Sequence, residues 1–120
     1  MKIRLLFFGQ LETSRGIMFL LQSLLHWDQP FHLTIAGTGS LKQELHNRVG
    51  NDTRFTLKGF IQPQDIDMLF TNIDCTVVPS LCVENAPLTI TNSLGLGVPV
   101  IASHVGGIPE MIQQGVNGFT

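Results

Sequence analysis

The sequence predicts a doubly wound parallel α/β sheet, and three observations support this prediction. Apolar runs of strand length alternate with segments whose apolar residues recur at helical spacing, in the order βαβαβαβαβαβ. The apolar runs are continuous rather than alternating with polar residues, as expected for strands covered on both faces. Only 13% of the 120 residues are charged, well below the roughly 25% of an average domain. A low charged fraction fits a sheet that is enclosed by helices.

The first half of the chain contains three predicted strands and two predicted helices. The strands are predicted at Ile3–Phe8, Phe31–Ala36 and Arg54–Leu57, the last ending at Gly59. Apolar residues recur every three or four positions from Gly16, which predicts the first helix. The turn Gly37-Thr38-Gly39 leads into the second helix. Ser40 and Gln43 match a capping box at its start.

The second half continues the alternation from Gln62-Pro63, where proline suits the first position of a helix. The remaining elements are predicted at Cys75–Val78 (strand), near Pro87 to Gly97 (helix), Val98–Ala102 (strand), Pro109 to Gly115 (helix) and Asn117–Thr120 (strand). Ligands of such sheets bind beyond the carboxyl ends of the strands. Two polar loops, Ser80–Ala86 and Ser103–Ile108, fall at that end. A binding site is therefore expected there.

Composition excludes several classes of protein. The net charge of −2 and the absence of a Lys/Arg cluster give no reason to expect nucleic acid or a membrane-binding patch. No apolar run approaches the ~18 residues of a transmembrane helix, and the N-terminal run is too short for a signal peptide. Cys75 and Cys82 lack metal-type spacing and are expected to be reduced, and the four histidines share no spacing. These observations predict a single soluble, cytoplasmic domain without a metal site.

A series of motifs follows the fourth predicted strand. Glu84 precedes Asn85-Ala86-Pro87-Leu88 and stands in a Glu-x7-Asn pattern with Asn92. The series continues with Gly97-Val98-Pro99-Val100-Ile101-Ala102-Ser103 and Gly106-Gly107-Ile108-Pro109-Glu110. It resembles the signature of the family 4 (group 1) glycosyltransferases, which have the GT-B fold of two Rossmann-like domains. The family has a second glutamate where this sequence has Asn92.

The resemblance covers nearly the whole chain and implies a place for it in such an enzyme. Residues 1–120 would be the C-terminal, nucleotide-sugar (donor) binding domain, a truncated half of a GT-B enzyme. Its partner would be an N-terminal acceptor-binding domain, which this sequence lacks. The chain starts directly on its first strand and stops as its sixth begins, which agrees with that expectation. This domain alone is expected to be inactive.

Glu84 is the candidate catalytic residue. The resemblance implies that its carboxylate contacts the donor hexose, whereas a carboxylate before a helix can also simply favour the helix dipole. The resemblance places the backbone N–H groups of Asn85, Ala86 and Leu88, which the pattern assigns to the first helical turn, against the donor diphosphate. On its residue type alone, Asn85 suits a helix cap equally well.

The loop after the first strand reads Gly9-Gln10 and then Arg15-Gly16, where the family has Gly-Arg and Lys-Gly. Arg15 is the candidate phosphate clamp, since a guanidinium can bind phosphate through two donors; the alternative is a solvated loop arginine. The resemblance places Gly9 and Gln10 beside it. It places Asn92 at the ribose, where a structural role is the alternative. It also places Phe60-Ile61 at the base, where core packing is the alternative.

These roles predict a retaining glycosyltransferase of the hexosyltransferase type. Its donor would be a nucleotide diphosphate sugar, and the resemblance implies neither a metal nor another cofactor. The acceptor would be a glycan or a lipid-linked saccharide, and peripheral membrane association of the full enzyme is compatible with this. Two alternatives stay open. One is a nucleotide-sugar 2-epimerase of the same fold, and the other is a non-catalytic nucleotide-sugar binding module, which Asn92 and Gln10 would suit.

Overall fold

The computed structural model describes all 120 residues and confirms the predicted fold class. The strands are β1 Ile3–Phe8, β2 Phe31–Ala36, β3 Phe55–Gly59, β4 Cys75–Val78, β5 Val100–Ala102 and β6 Gly118–Phe119. The helices are α1 Ile17–Leu25, α2 Lys42–Val49, α3 Ile66–Leu69, α4 Leu88–Gly95 and α5 Ile108–Met111. The six strands are parallel and lie in the order β3-β2-β1-β4-β5-β6. This is the strand order of a Rossmann-like sheet.

Apolar continuity fixed most strand boundaries. β1, β2 and β4 match their predicted ranges, because each apolar run ends at a glycine or proline. β5 is shorter than the predicted Val98–Ala102, and it begins after Pro99, which has no N–H for the sheet. The carbonyl of Pro99 still accepts a hydrogen bond from the N–H of Thr76 at 2.9 Å.

The predicted start of α2 and the predicted end of α5 are wrong. The start of α2 has no capping box, because Ser40 donates to Glu12 while the Gln43 side chain donates to Asn47. The last helix, α5, ends at Met111 rather than at Gly115, since Ile112 is already extended. Gly115 lies in the turn that precedes β6. The third helical segment begins as predicted with Pro63 in the first turn, as a short 3-10 helix that runs into α3.

Helices cover the two faces of the sheet in separate sets. α1 and α2 pack with Leu5 and Phe7 of β1 in the larger core cluster. α3 packs with Leu6 of β1 on the opposite face, where α4 and α5 also pack with Val100 of β5. The helices therefore change face between β1 and β4. No helix has both the length and the apolar character needed to cross a bilayer.

The two cysteines are free thiols in different surroundings. Cys75 is buried in β4, while Cys82 is half-buried in the loop that follows β4. Burial raises the pKa of the Cys75 thiol to about 11. This thiol therefore stays protonated near neutral pH.

Candidate functional site

An open cavity of about 420 Å³ lies at the carboxyl ends of β1 and β4. β1 is followed by a helix on one face of the sheet and β4 by a helix on the other, so the two following loops diverge. The resulting crevice is the usual ligand position in a doubly wound sheet. The strand ends form its floor, and the two loops with the first turn of α4 form its walls. The cavity occupies the position that the sequence predicted for a site.

Glu84 projects into this cavity from the loop that follows β4. Its side chain is only 11% exposed, and its two carboxylate oxygens have different partners. Oε2 accepts a hydrogen bond of 2.5 Å from the hydroxyl of Ser80. Oε1 forms an ion pair with Nη1 of Arg15. The carboxylate is thus held between a neutral donor on its own loop and a cation from the facing loop.

Arg15 ends a 3-10 turn, Thr13–Arg15, in the loop that follows β1. Besides its ion pair with Glu84, its Nη2 group donates a long hydrogen bond of 3.4 Å to the side-chain carbonyl of Gln10. The Arg15 side chain is 35% exposed, so solvent and ligands can reach it. The structure therefore joins three residues that the sequence singled out separately, and it brings the candidate phosphate clamp against the candidate catalytic carboxylate.

Close backbone contacts fix the loop that carries Glu84. A Cβ atom on Gly16 would lie 1.8 Å from the carbonyl oxygen of Pro79, and one on Gly107 would lie 1.9 Å from that of Asn85. The N–H of Gly107 also donates to the carbonyl of Glu84 at 2.8 Å. Glycine allows this close approach because it has no side chain. The loop that contains Gly106 and Gly107 therefore supports the backbone of Glu84 and Asn85 but does not line the cavity.

The loop that follows β1 is anchored to the start of α2. Glu12 accepts hydrogen bonds from the hydroxyl of Ser40 at 2.5 Å and from its N–H at 2.8 Å. These bonds hold the pKa of the Glu12 carboxyl below its usual value, the hydroxyl contributing most. Leu11 adds a backbone bond of 2.9 Å to the carbonyl of Thr38. The Gly37-Thr38-Gly39 turn thus supports the loop that carries Arg15.

The start of α4 differs from the prediction. Asn85 and Ala86 lie in the loop and not in the first helical turn, because the helix begins at Leu88 with Pro87 as its N-cap residue. A residue that precedes proline avoids the helical region, which excludes Ala86 from the helix. Asn85 is exposed and does not cap α4. The N–H groups that open onto the cavity without a protein acceptor belong to Leu88 and Thr89.

Five of the predicted residues do not line the cavity, and two of them are Asn85 and Ala86 of the loop before α4. Asn92 is half-buried on α4, and its side chain makes no hydrogen bond to the protein. Phe60 follows β3 and is 65% exposed. Ile61 packs beside a cluster of apolar residues on the face that α3 covers. Gly9, in contrast, lines the cavity as predicted, as do Gln10, Arg15 and Glu84.

Ser80 is a site residue that the sequence analysis did not single out. It is 3% exposed, it lines the cavity and it donates to the Glu84 carboxylate. A polar residue two positions after a buried strand and four positions before a candidate carboxylate was an available signal. Serine is too common in loops for that signal to be read without the folded geometry. Thr89 is a second cavity-lining residue that the sequence analysis did not single out, and its hydroxyl donates to the carbonyl of Phe8 at 2.7 Å.

The site combines complementary binding groups. A guanidinium and two helix-start N–H groups can bind an anionic group. A neighbouring carboxylate can accept hydrogen bonds from hydroxyl groups. No group of three or more His, Cys, Asp or Glu side chains is arranged to hold a metal ion. The cavity therefore suits a ligand that carries an anionic group close to hydroxyl groups.

Comparison with known proteins gives matches along nearly the whole chain. The family model described as "Glycosyl transferases group 1" matches residues 2–120. An uncharacterised glycosyltransferase of Methanocaldococcus jannaschii is 29% identical over an alignment that covers 96% of this chain and 30% of that protein. The amylovoran biosynthesis glycosyltransferase AmsK of Erwinia amylovora is 26% identical over 98% of this chain and 31% of its own length.

A solved structure agrees with these relatives. The crystal structure of Anabaena HepE in complex with UDP-glucose superposes with a TM-score of 0.86 at 26% identity, covering 98% of this chain and 34% of that one. This chain therefore spans about a third of the length of the proteins it matches. Sequence and fold agree with the expected GT-B resemblance, and the chain belongs to the group 1 glycosyltransferases.

Proposed function

We propose that residues 1–120 form the donor-binding domain of a retaining glycosyltransferase. The enzyme would move a hexose from a nucleotide diphosphate sugar to an acceptor such as a glycan or a lipid-linked saccharide. The observation that carries this proposal is the meeting of Arg15, Glu84 and the amino end of α4 in one cavity at the change of helix face. These groups match a diphosphate that is joined to a sugar.

The diphosphate is assigned to Arg15 and to the N–H groups of Leu88 and Thr89. The guanidinium supplies charge and two parallel donors, and the helix start supplies unpaired N–H groups with a favourable dipole. Because the Arg15 side chain is partly exposed, an incoming anion can replace Glu84 as its partner. The cation that now stabilises the carboxylate would then stabilise the phosphate.

The hexose is assigned to Glu84, whose carboxylate would accept hydrogen bonds from sugar hydroxyls. HepE, which shares the fold at 26% identity, was crystallised with UDP-glucose, and this supports a nucleotide-sugar donor for the present chain. The ribose is assigned to Asn92 and the base to Phe60 and Ile61. All three lie outside the cavity, so the nucleoside would extend from it across the strand ends towards β3.

Catalysis in this proposal is electrostatic. Breaking the bond between the sugar and the diphosphate builds negative charge on the leaving phosphate oxygen, and pre-oriented donors stabilise that charge. Arg15 and the amino end of α4 would supply those donors without a metal ion. The acceptor and the group that activates it would lie outside residues 1–120.

The proposal is tested by calorimetric titration of the complete natural protein with UDP, GDP and ADP, each with and without EDTA. At least one of them should bind, and EDTA should not change its affinity. Arg15→Gln should weaken that binding about tenfold or more, the scale of a charged hydrogen bond. Arg48→Gln, a change at an exposed arginine on α2, is the matched control. The assignment fails if none of the three nucleotides binds, or if both variants bind like the natural protein.

A non-catalytic nucleotide-sugar binding module is the second candidate. It is favoured by Asn92, which makes no side-chain hydrogen bond and stands where the family has a glutamate. Such a module would bind UDP-glucose without releasing UDP from it. Following UDP release by the complete natural protein, with UDP-glucose as the donor, distinguishes the two candidates.

A further inference from the structure

The two oxygens of the Glu84 carboxylate have different partners, and a ligand could displace only one of them. Oε1 contacts Arg15, a long side chain that is 35% exposed and that an anion can attract. Oε2 accepts from Ser80, which is 3% exposed and lies four residues earlier on the same loop. A ligand anion can compete for the first partner but cannot replace a buried hydroxyl. Donor binding should therefore free one oxygen and leave the other in place.

The backbone on both sides of Ser80 is fastened to neighbouring elements. Pro79 has a fixed φ, and its carbonyl packs against Gly16. The N–H of Leu81 donates to the carbonyl of Ser14 at 2.8 Å. Ser80 thus has little freedom to move, and its hydroxyl is a fixed point for the carboxylate. The backbone of Glu84 itself is fastened through its carbonyl, which accepts a hydrogen bond from the N–H of Gly107.

We propose that Ser80 is a positioning residue that holds the Glu84 carboxylate in place while Arg15 is transferred from Glu84 to the donor diphosphate. This inference rests on the proposed function, since it takes Glu84 as the residue that contacts the hexose. With Ser80 on Oε2, the released Oε1 keeps its orientation into the cavity and accepts a sugar hydroxyl. Ser80 therefore contributes to recognition of the sugar and not to recognition of the nucleotide.

The test compares the dissociation constants of UDP and UDP-glucose, measured by calorimetry on the complete natural protein. The quantity of interest is the preference, defined as Kd for UDP divided by Kd for UDP-glucose. Ser80→Ala should lower this preference about fivefold, the scale of one lost hydrogen bond. The Kd for UDP should change by less than about twofold, because the hydroxyl does not contact the phosphate in this arrangement.

Ser93→Ala is the matched control. Ser93 is another buried serine, and it lies on α4. Its hydroxyl donates to the carbonyl of Val98 and shares a hydrogen bond with the hydroxyl of Thr76. Its removal should lower the melting temperature without changing the preference. This control separates loss of a buried hydroxyl from loss of the hydroxyl that orients Glu84.

The double variant shows whether Ser80 acts through Glu84. In a Glu84→Gln background, Ser80→Ala should leave the preference unchanged, since coupled residues are not additive. If Glu84→Gln alone leaves the preference intact, the proposed function of Glu84 fails. If Glu84→Gln lowers the preference but Ser80→Ala does not, or if Ser80→Ala weakens UDP and UDP-glucose equally, the role of Ser80 is overturned.

Discussion

Glu12, in the loop that follows β1, and Glu84, in the loop that follows β4, each accept a hydrogen bond from a serine hydroxyl, but in different settings. Glu12 accepts from the hydroxyl of Ser40 and Glu84 from that of Ser80, each at 2.5 Å. The other oxygen of Glu12 accepts from the N–H of Ser40, so a single residue occupies the whole carboxylate. The other oxygen of Glu84 instead contacts Arg15 inside the cavity.

Under the proposed function, this difference separates a carboxylate that anchors a loop from one that recognises the ligand. Glu12 is bonded only to the hydroxyl and N–H of Ser40, and it joins two loops without a charged partner. Glu84 has one fixed donor and one cation that can change partner. A carboxylate–serine bond therefore does not by itself identify a functional residue. The second partner, and whether a ligand can reach it, decides the role.

The largest effect is expected where the backbone next to Ser80 packs on Gly16. Gly16 has φ of 81°, and an added Cβ would meet the carbonyl of Pro79 at 1.8 Å. Gly16→Ala should lower the free energy of unfolding by about 2–5 kcal/mol, combining left-handed strain with overpacking. Urea unfolding followed by circular dichroism measures this change.

Gly97→Ala is the control for that comparison. Gly97 has nearly the same φ, 78°, but an added Cβ would meet nothing within 4 Å. Its loss should be limited to the conformational cost of about 1–2 kcal/mol. Equal losses for the two variants would show that Pro79 does not pack closely on Gly16, and the Ser80 pair would then lack its rigid support.

The second-largest effect is expected for Glu84 inside the cavity, and it is an effect on turnover. Glu84→Gln should lower the rate of UDP release from UDP-glucose at least about tenfold, because a hydrogen bond to a charged group is worth about 1.5–3 kcal/mol. The Kd for UDP should not rise, since Arg15 is freed for the phosphate. The melting temperature should change little. A variant with normal turnover, or one that unfolds, would mean that Glu84 only supports the loop that follows β4. Glu44→Gln, at an exposed position on α2, is the control.

Most of the fold followed from local patterns. Continuous apolar runs that end at Gly9, Gly37 and Pro79 predicted three strands to the residue, because burial on both faces leaves that signal in the sequence. Helix ends were less predictable. Ser40 matches a cap by spacing, but its hydroxyl bonds to Glu12, which is 28 residues distant. A local rule cannot anticipate a partner that only the fold brings close.

The candidate site was predictable as a list of residues but not as an arrangement. The sequence indicated both Arg15 and Glu84, although nothing in it showed that they would contact each other. It placed Asn85 and Ala86 in a helix that Pro87 in fact delays to Leu88. It missed Ser80, whose role depends on which oxygen of Glu84 it contacts. The roles of all the predicted site residues stay predictions, and Asn92, Phe60 and Ile61 also lie outside the cavity.

The smallest effect on stability is expected for the pair of Glu12 and Ser40, and it should depend on pH. The Ser40 hydroxyl and N–H hold the pKa of Glu12 below its usual value in the folded state. A lowered pKa in the folded state means that folding favours the charged carboxylate. The contribution of Glu12 to stability is therefore present above the unfolded pKa of about 4.3. It is lost as the pH falls through the lower, folded value. Asp52 beside Arg54 and Asp74 beside Arg4 are shifted in the same direction.

Glu12→Gln isolates this contribution from the shifts of the other carboxyls, because those are common to both proteins. The urea midpoint of the variant should lie below that of the natural protein at pH 7, and the gap should narrow as the pH is lowered towards 3. Glu44→Gln, which removes an exposed carboxylate with no hydrogen-bond partner in the structure, is the control for the loss of one negative charge. A gap for Glu12→Gln that stays constant over this range would mean that Ser40 does not select the charged form of Glu12. The loop that carries Arg15 would then be held by its backbone bonds alone, and the contrast between the two glutamate–serine pairs would rest on Glu84.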